Sequence, residues 1–375
     1  MEKIRAEVFK SLKSIVIKIG TKILVNENGS LNMTRINSLI KDICVLKREG
    51  HSIVMVSSGA VGLGMTVMGL KTRPRVLALK QACAAAGQGR LMHLYAEKFQ
   101  ARGQQVAQIL LSADDFLNQD RYNNIRRTVQ ALLDNDIIPI INENDTISTE
   151  EIKVGDNDKL SSDVAHFLEA DLLVILSDEK GLYTKNPKRH SDVQYVSIVP
   201  KVTAKIESMG GGAGTAAGVG GMRAKLKAIK QATEAGTPVV LTDGKNNSLC
   251  SLVSGQKVGT LFLPNAKRLK RRKRWLAFVS HASGSILLDP GGGRAVQSGR
   301  SSVLAVGIIG TRGNYKAGDF VEISTGKGPV IGRGRTAYSA EEVDRIKGLK
   351  SAKIPDVLKR KGPEEVIHRD NLVVY

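Results

Sequence analysis

Two lysines stand where lysine is costly or unusual. Lys18 lies in the run SIVIKIG (14–20), flanked by Ile17 and Ile19, and a buried ammonium is expensive unless it faces an anion. Lys225 follows AAGVGGMRAK, a glycine-rich corner opening a helical segment, where backbone N–H groups and a cation would clamp a phosphate. Taken alone, Lys225 reads as a solvent-facing helical lysine; paired with Lys18, that reading loses ground. A third concentration of polar groups is EIKVGDNDKLSSDVA (151–165), with Asp156, Asn157 and Asp158 in succession ahead of a helical run. One such residue suffices to cap a helix. Three of them after Gly155 equally suit an active-site loop at a helix N-terminus, and local sequence leaves the two readings level.

The elements that must position these residues repeat one rhythm. The runs 14–20, 52–59, 104–111, 136–142, 171–177 and 237–244 are short, apolar and β-branched, bounded by turn residues, and read as buried strands. Between them, NSLIKDICVLKREG, RVLALKQACAAAGQGRLMHLYAEKFQARG, RRTVQALLDN and KLKAIKQATEAG carry apolar residues at helical spacing, several ending in Gly. The alternation predicts an α/β fold, an αβα sandwich with a mostly parallel central sheet covered on both faces. Ligands bind beyond the carboxyl ends of such strands. KIGTK, SSGAVGLG, NENDT and SDEKGLYT gather there. From Trp275 onward, short segments with turn signals every eight to twelve residues fit a small β-barrel. The expected organisation is a catalytic domain over 1–265, a basic linker over 266–274 and a barrel over 275–375.

Composition narrows the function. The chain has 375 residues, 42% of them hydrophobic, enough for two folded domains. Cys44, Cys83 and Cys250 are far apart in apolar runs, so buried thiols in a reducing compartment are expected rather than a disulfide framework or metal knuckle. With no apolar N-terminal h-region and no apolar run near the ~20 residues of a membrane span, the expectation is a soluble, cytoplasmic protein without membrane contact. Of the net charge of +20, seven basic residues fall in KRLKRRKR (267–274), a pattern read as a solvated linker in preference to a phosphate anchor. P-loop, Rossmann and GxSxG signatures and paired-His metal spacing are missing, which sets aside those enzyme classes.

The motifs IVIKIGTKIL, SSGAVGLG, KQACAAAGQGRLM, IPIINENDTIST, EIKVGDNDKLS, SDEKGLYTKNP and GVGGMRAKLKAI come in the order and spacing of the glutamate 5-kinases. That branch of the amino acid kinase family phosphorylates the side-chain carboxylate of L-glutamate, the first step of proline biosynthesis. The tail, from RKRWL through KAGDFVEI to EEVIHRDNLVVY, resembles the PUA domain that many of them carry. The resemblance implies that Lys18 and Lys225 act on the transferring phosphoryl group and that Asp158 orients them. It implies that Ser58, Asp145 and Asn157 hold glutamate, and that Lys18, Gly20, Ser177, Asp178 and the stretch Val219, Gly220, Gly221, Met222, Arg223, Ala224 and Lys225 line the nucleotide site. It also implies ATP with Mg2+ held by its phosphates, proline as feedback inhibitor at a site overlapping that of glutamate, a homo-oligomer (tetramer or dimer), and hand-over of the product to glutamyl phosphate reductase. No metal site of the protein's own is expected. Val219 and Ser177 stand where relatives usually have Thr, and Asn186 where Asp is frequent. A substrate carboxylate is already a nucleophile, so the absence of a catalytic His or Cys fits. Another small-acid kinase of the superfamily, or an RNA-binding or RNA-modification partner acting through the tail, are the rival readings. RNA binding is not favoured, because the tail carries no aromatic–basic stacking platform.

Overall fold

A computed structural model describes residues 2–26, 30–117, 119–147, 156–185, 187, 190, 192–210, 221–265, 282–299, 301–326 and 328–374. The chain divides into two compact units, Met1–Arg268 and Leu269–Tyr375.

The first unit is built on an eight-stranded sheet. Its first five strands are β1 (Ser14–Ile19), β2 (Ser52–Ser57), β3 (Gln105–Leu111), β4 (Ile137–Glu143) and β5 (Leu172–Ser177). A short antiparallel hairpin, β6 (Leu182–Tyr183) with β7 (Tyr195–Val196), stands apart, and β8 (Ile198–Val199), β9 (Val239–Asp243) and β10 (Thr260–Phe262) complete the sheet. The spatial order is β3-β4-β2-β1-β5-β9-β10-β8. Six strands from β3 to β9 run parallel, and β10 reverses against β9. All five loops that follow β1, β2, β4, β5 and β9 therefore leave from one edge.

Strand parity sorts the side chains. Ile15, Ile17 and Ile19 of β1 enter a core with Ile36, Leu39, Ile40 and Ile43 of the helix Met33–Arg48 and Leu91, Tyr95 and Phe99 of the helix Leu77–Gln100. Val16 and Lys18 therefore point to the opposite face. That face is covered by the helices Gln119–Asp134, Asp156–Leu168 and Met222–Glu234. Both sheet faces are thus covered, as the strand–helix alternation predicts.

Two single readings need correction. The run 104–111 does form β3, but as the edge strand; Gln105 and Gln108 are exposed and only Leu111 is fully buried. An edge strand has one neighbour, so an apolar run there need not be enclosed. Cys44 and Cys83 are buried as expected, whereas Cys250 is only half-buried.

The helix Ala60–Val67, which follows β2, lies against Leu77–Gln100 at unusually close range. A Cβ on Gly64 would stand 1.7 Å from the Cys83 carbonyl oxygen, and one on Gly87 would stand 1.9 Å from that of Ala60. Only glycine permits that approach.

In the second unit a mixed five-stranded sheet, β11 (Gly284–Leu288), β13 (Ile308–Gly313), β14 (Phe320–Thr325), β15 (Val330–Arg335) and β17 (Leu372–Val374), is joined by the pair β12 (Val303–Leu304) and β16 (Glu365–Ile367). Ile286, Val303, Val321, Ile323, Val366, Ile367 and Leu372 from both ladders share one core with Tyr315 and Tyr338. The run 267–274, Trp275, Phe278 and Tyr375 lie outside the described residues.

Candidate active site

At the carboxyl edge of β1, the Lys18 ammonium lies 2.7 Å from Asp158 Oδ1, and Lys225 Nζ lies 3.6 Å from Asp158 Oδ2. Three distant segments converge on this carboxylate: a central strand, the first turn of Asp156–Leu168, and the first turn of Met222–Glu234. Lys18 and Asp158 are 6% and 4% exposed, so the pair is desolvated and little screened. Burial lowers the Lys18 pKa below the ordinary lysine value; Asp158 opposes the shift and the Lys225 charge adds to it. One carboxylate facing two lysines leaves a net positive charge, which suits an anion. Gly20, whose amide donates to the Leu176 carbonyl at 3.3 Å, lies beside the pair; a Cβ there would stand 3.6 Å from Lys18 Nζ, in ordinary contact.

The two helices that present Asp158 and Lys225 are tied below the site. Asp163, 1% exposed, accepts hydrogen bonds from Lys159 at 2.6 Å and from Gln231 of the neighbouring helix.

One residue before Asp158, Asn157 Nδ2 donates to Ser58 Oγ at 2.9 Å and to Asn142 Oδ1 at 3.0 Å. Ser58 is held in turn by its amide, which donates to the Ile19 carbonyl at 3.1 Å. Asn142 Nδ2 donates to Gln88 Oε1 at 2.8 Å, and Ser57 Oγ shares a 2.7 Å hydrogen bond with the buried Tyr95 hydroxyl. These groups make a polar cup beside the lysines, joined to them through consecutive residues of one helix.

Asp145, just past β4, is half-buried, and its carboxyl is pushed above the usual range by burial, with Arg73 opposing. Among the described residues no hydrogen bond or ion pair joins it to Asn157 or Ser58, so it shares their sheet edge without a direct link. At the end of β5, Ser177 is buried and its hydroxyl accepts from the Glu179 amide at 3.3 Å. Asp178 pairs with Lys22 at 2.7 Å; burial works against its ionisation, but the Lys22 bond and charge outweigh it and hold the carboxyl below its usual value. Gly221 caps Met222–Glu234, with Met222, Arg223 and Ala224 in the first turn before Lys225. Val219, Gly220, Asn186 and Gly155 lie outside the described residues, as does the side chain of Asp156.

The amino acid kinase family model matches residues 13–243, which hold all of these groups, and the PUA domain model matches 284–358. A glutamate 5-kinase from Syntrophotalea carbinolica is 43% identical over 371 residues, covering 99% of each chain. The glutamate 5-kinase from Deinococcus radiodurans is 44% identical over 362 residues, 96% of this chain and 99% of its own. The chain belongs to the glutamate 5-kinase family. Within that family's frame, the structure adds groups that sequence reading passed over. Asn142 sat in the quoted NEND motif without being singled out, and Gln88 looked like an ordinary polar position in an alanine-rich helix. Lys22 and Arg73 gave no signal beyond their charge, because their partners Asp178 and Asp145 are far away in sequence.

Proposed function

We propose that this glutamate 5-kinase family member transfers the γ-phosphoryl group of ATP to the side-chain carboxylate of L-glutamate, giving L-glutamyl 5-phosphate and ADP. The observation that carries the reading is Asp158 between Lys18 and Lys225 with the Asn157–Ser58 cup one residue away. The lysines neutralise charge that spreads over the equatorial phosphoryl oxygens, and Asp158 keeps both aimed at it. Asn157, Ser58 and Asp145 hold glutamate so that its carboxylate lies in line with the phosphorus; no general base is required. Gly20, Ser177, Asp178 and the stretch from Val219 to Lys225 receive the nucleotide. Mg2+ enters with ATP, bound by phosphates and water; among the described residues no cluster of three or more His, Cys, Asp or Glu could hold an ion by itself.

Proline as a competing inhibitor, a homo-oligomer and hand-over of the unstable acyl phosphate to a reductase belong to the same reading. No described helix is long and apolar enough to cross a membrane, which is compatible with the cytoplasmic setting the reading assumes. The PUA-like unit, with Tyr315, Phe320 and Tyr338 buried rather than available for stacking on bases, is assigned to modulating the kinase. Hydroxamate trapping with glutamate, aspartate and N-acetylglutamate tests the reaction. Product with glutamate and ATP is expected. Product with aspartate but not glutamate would favour the other small-acid kinases, and salt-sensitive RNA binding without any kinase activity would favour the RNA reading.

A further inference from the structure

The cup has a polarity that its hydrogen bonds fix. The Glu143 backbone amide donates to Asn142 Oδ1 at 2.9 Å, and a main-chain N–H cannot exchange roles as a side-chain amide can. Asn142 therefore turns its Nδ2 toward Gln88, whose Oε1 accepts it at 2.8 Å. With Asn142 Oδ1 facing the site, Asn157 must present Nδ2 to it, at 3.0 Å, and spends its second N–H on Ser58 Oγ at 2.9 Å. Both protons of the Asn157 amide are then committed. Its Oδ1 is buried and has no hydrogen-bond partner among the described residues. Buried polar atoms are rarely left without one. What this atom lacks is a donor.

We propose that Gln88, 9% exposed on the helix Leu77–Gln100, is a specificity-determining positioning residue: together with the Glu143 amide it holds the Asn142 side chain in the orientation that makes Asn157 Oδ1 the acceptor for the α-ammonium group of the amino-acid substrate. Ser58, whose oxygen is used as acceptor by Asn157, keeps its own hydroxyl proton to donate to a substrate carboxylate oxygen. The cup thus favours a zwitterion, with a cationic donor at Asn157 and an anionic acceptor at Ser58, over dicarboxylic acids without an amine. Gln88 touches no substrate; removing its acceptor strands the Asn142 Nδ2 and leaves the Glu143 amide to hold the relay, so Asn142 and Asn157 are positioned less firmly.

The inference rests on the glutamate reading, and the test separates the two by measuring binding as well as turnover. Calorimetric Kd values and KM values are compared for L-glutamate and glutarate, which lacks only the amine, in the unmodified chain and in Gln88→Met and Gln88→Glu. The unmodified chain is expected to favour glutamate over glutarate by about 10- to 100-fold, the range set by one buried polar atom left unpaired. Gln88→Met should raise the Kd and KM for glutamate by roughly 10-fold while leaving those for glutarate, the KM for ATP and kcat within about 2-fold. Gln88→Glu, which retains an acceptor, should recover most of the preference. Equal affinity for glutamate and glutarate in the unmodified chain overturns the proposal even if Gln88→Met does not fold. So does a Gln88→Met variant in which both ligands weaken together or neither changes. Selective binding of glutamate without its phosphorylation would instead overturn the proposed reaction and leave the cup's polarity standing.

Discussion

Asp158 Oδ1 stands 2.7 Å from Lys18 Nζ in a setting where neither group meets bulk water. A buried carboxylate this close fixes the lysine in place and keeps its charge, against the burial that lowers its pKa. Asp158→Asn keeps the shape and removes the charge. Its kcat is expected to fall about 10²- to 10³-fold, with KM for glutamate changed far less, because misplaced or neutral lysines fail in the transition state. Steady-state kinetics at saturating ATP provide the check.

The same pair sets an alkaline limit on activity. Lys18 works as a cation, so kcat should decline as pH rises through its lowered pKa, and Asp158→Asn, which removes the charge opposing the shift, should move the decline to lower pH. Stability responds with the opposite sign. Between the lowered folded value and the ordinary value near 10.5, the unfolded chain binds a proton at Lys18 that the folded chain does not, so this residue's contribution to stability rises with pH there. A pH series of kcat, set beside the difference in unfolding free energy between the parent and Lys18→Met, tests both signs.

Asn157→Ala removes the amide that bridges Ser58 and Asn142. Ground and transition states should lose the contact alike, so KM for glutamate should rise about 10-fold with kcat within a few-fold. A variant with unchanged KM that merely melts earlier would reduce Asn157 to helix capping.

Gly87→Ala places a methyl 1.9 Å from the Ala60 carbonyl oxygen, with backbone on both sides and no flexible side chain to yield. The helix Ala60–Val67 must retreat, at a cost of about 1–3 kcal/mol. Ser58 lies two residues before that helix, so a lower Tm should be accompanied by a higher KM for glutamate and an almost unaltered KM for ATP.

Every residue assigned a chemical role precedes residue 265. Truncation there is expected to retain turnover while altering proline inhibition or assembly, as read by kinase assay and light scattering. A folded but inactive fragment would place part of the active site in the second unit.

The strands were legible because β-branched runs bounded by glycine leave few alternatives, and Lys18 was legible because a charge inside such a run demands an explanation. The convergence of Lys18, Asp158 and Lys225 was available only through family resemblance, since 67 residues separate the last two and nothing local links them. Gln88 stayed hidden for a different reason. Its environment is polar only because Asn142 arrives from β4, and helical periodicity carries no trace of that. The edge position of β3 was misread because burial depends on how many neighbours a strand finds, which composition does not state.

The sheet order has a consequence for synthesis. β1, the strand that carries Lys18, is made first, yet it lies in the middle of the sheet between β2 and β5, and β5 begins only at Leu172. A growing chain must therefore keep one side of its central strand unpaired while well over a hundred further residues emerge, and Lys225 follows later still. Parallel pairings between distant segments form slowly and leave sticky edges exposed. Catalytic competence is then the last property the first unit acquires as it emerges, and the interval before it is when a chaperone that shields strand edges would matter most.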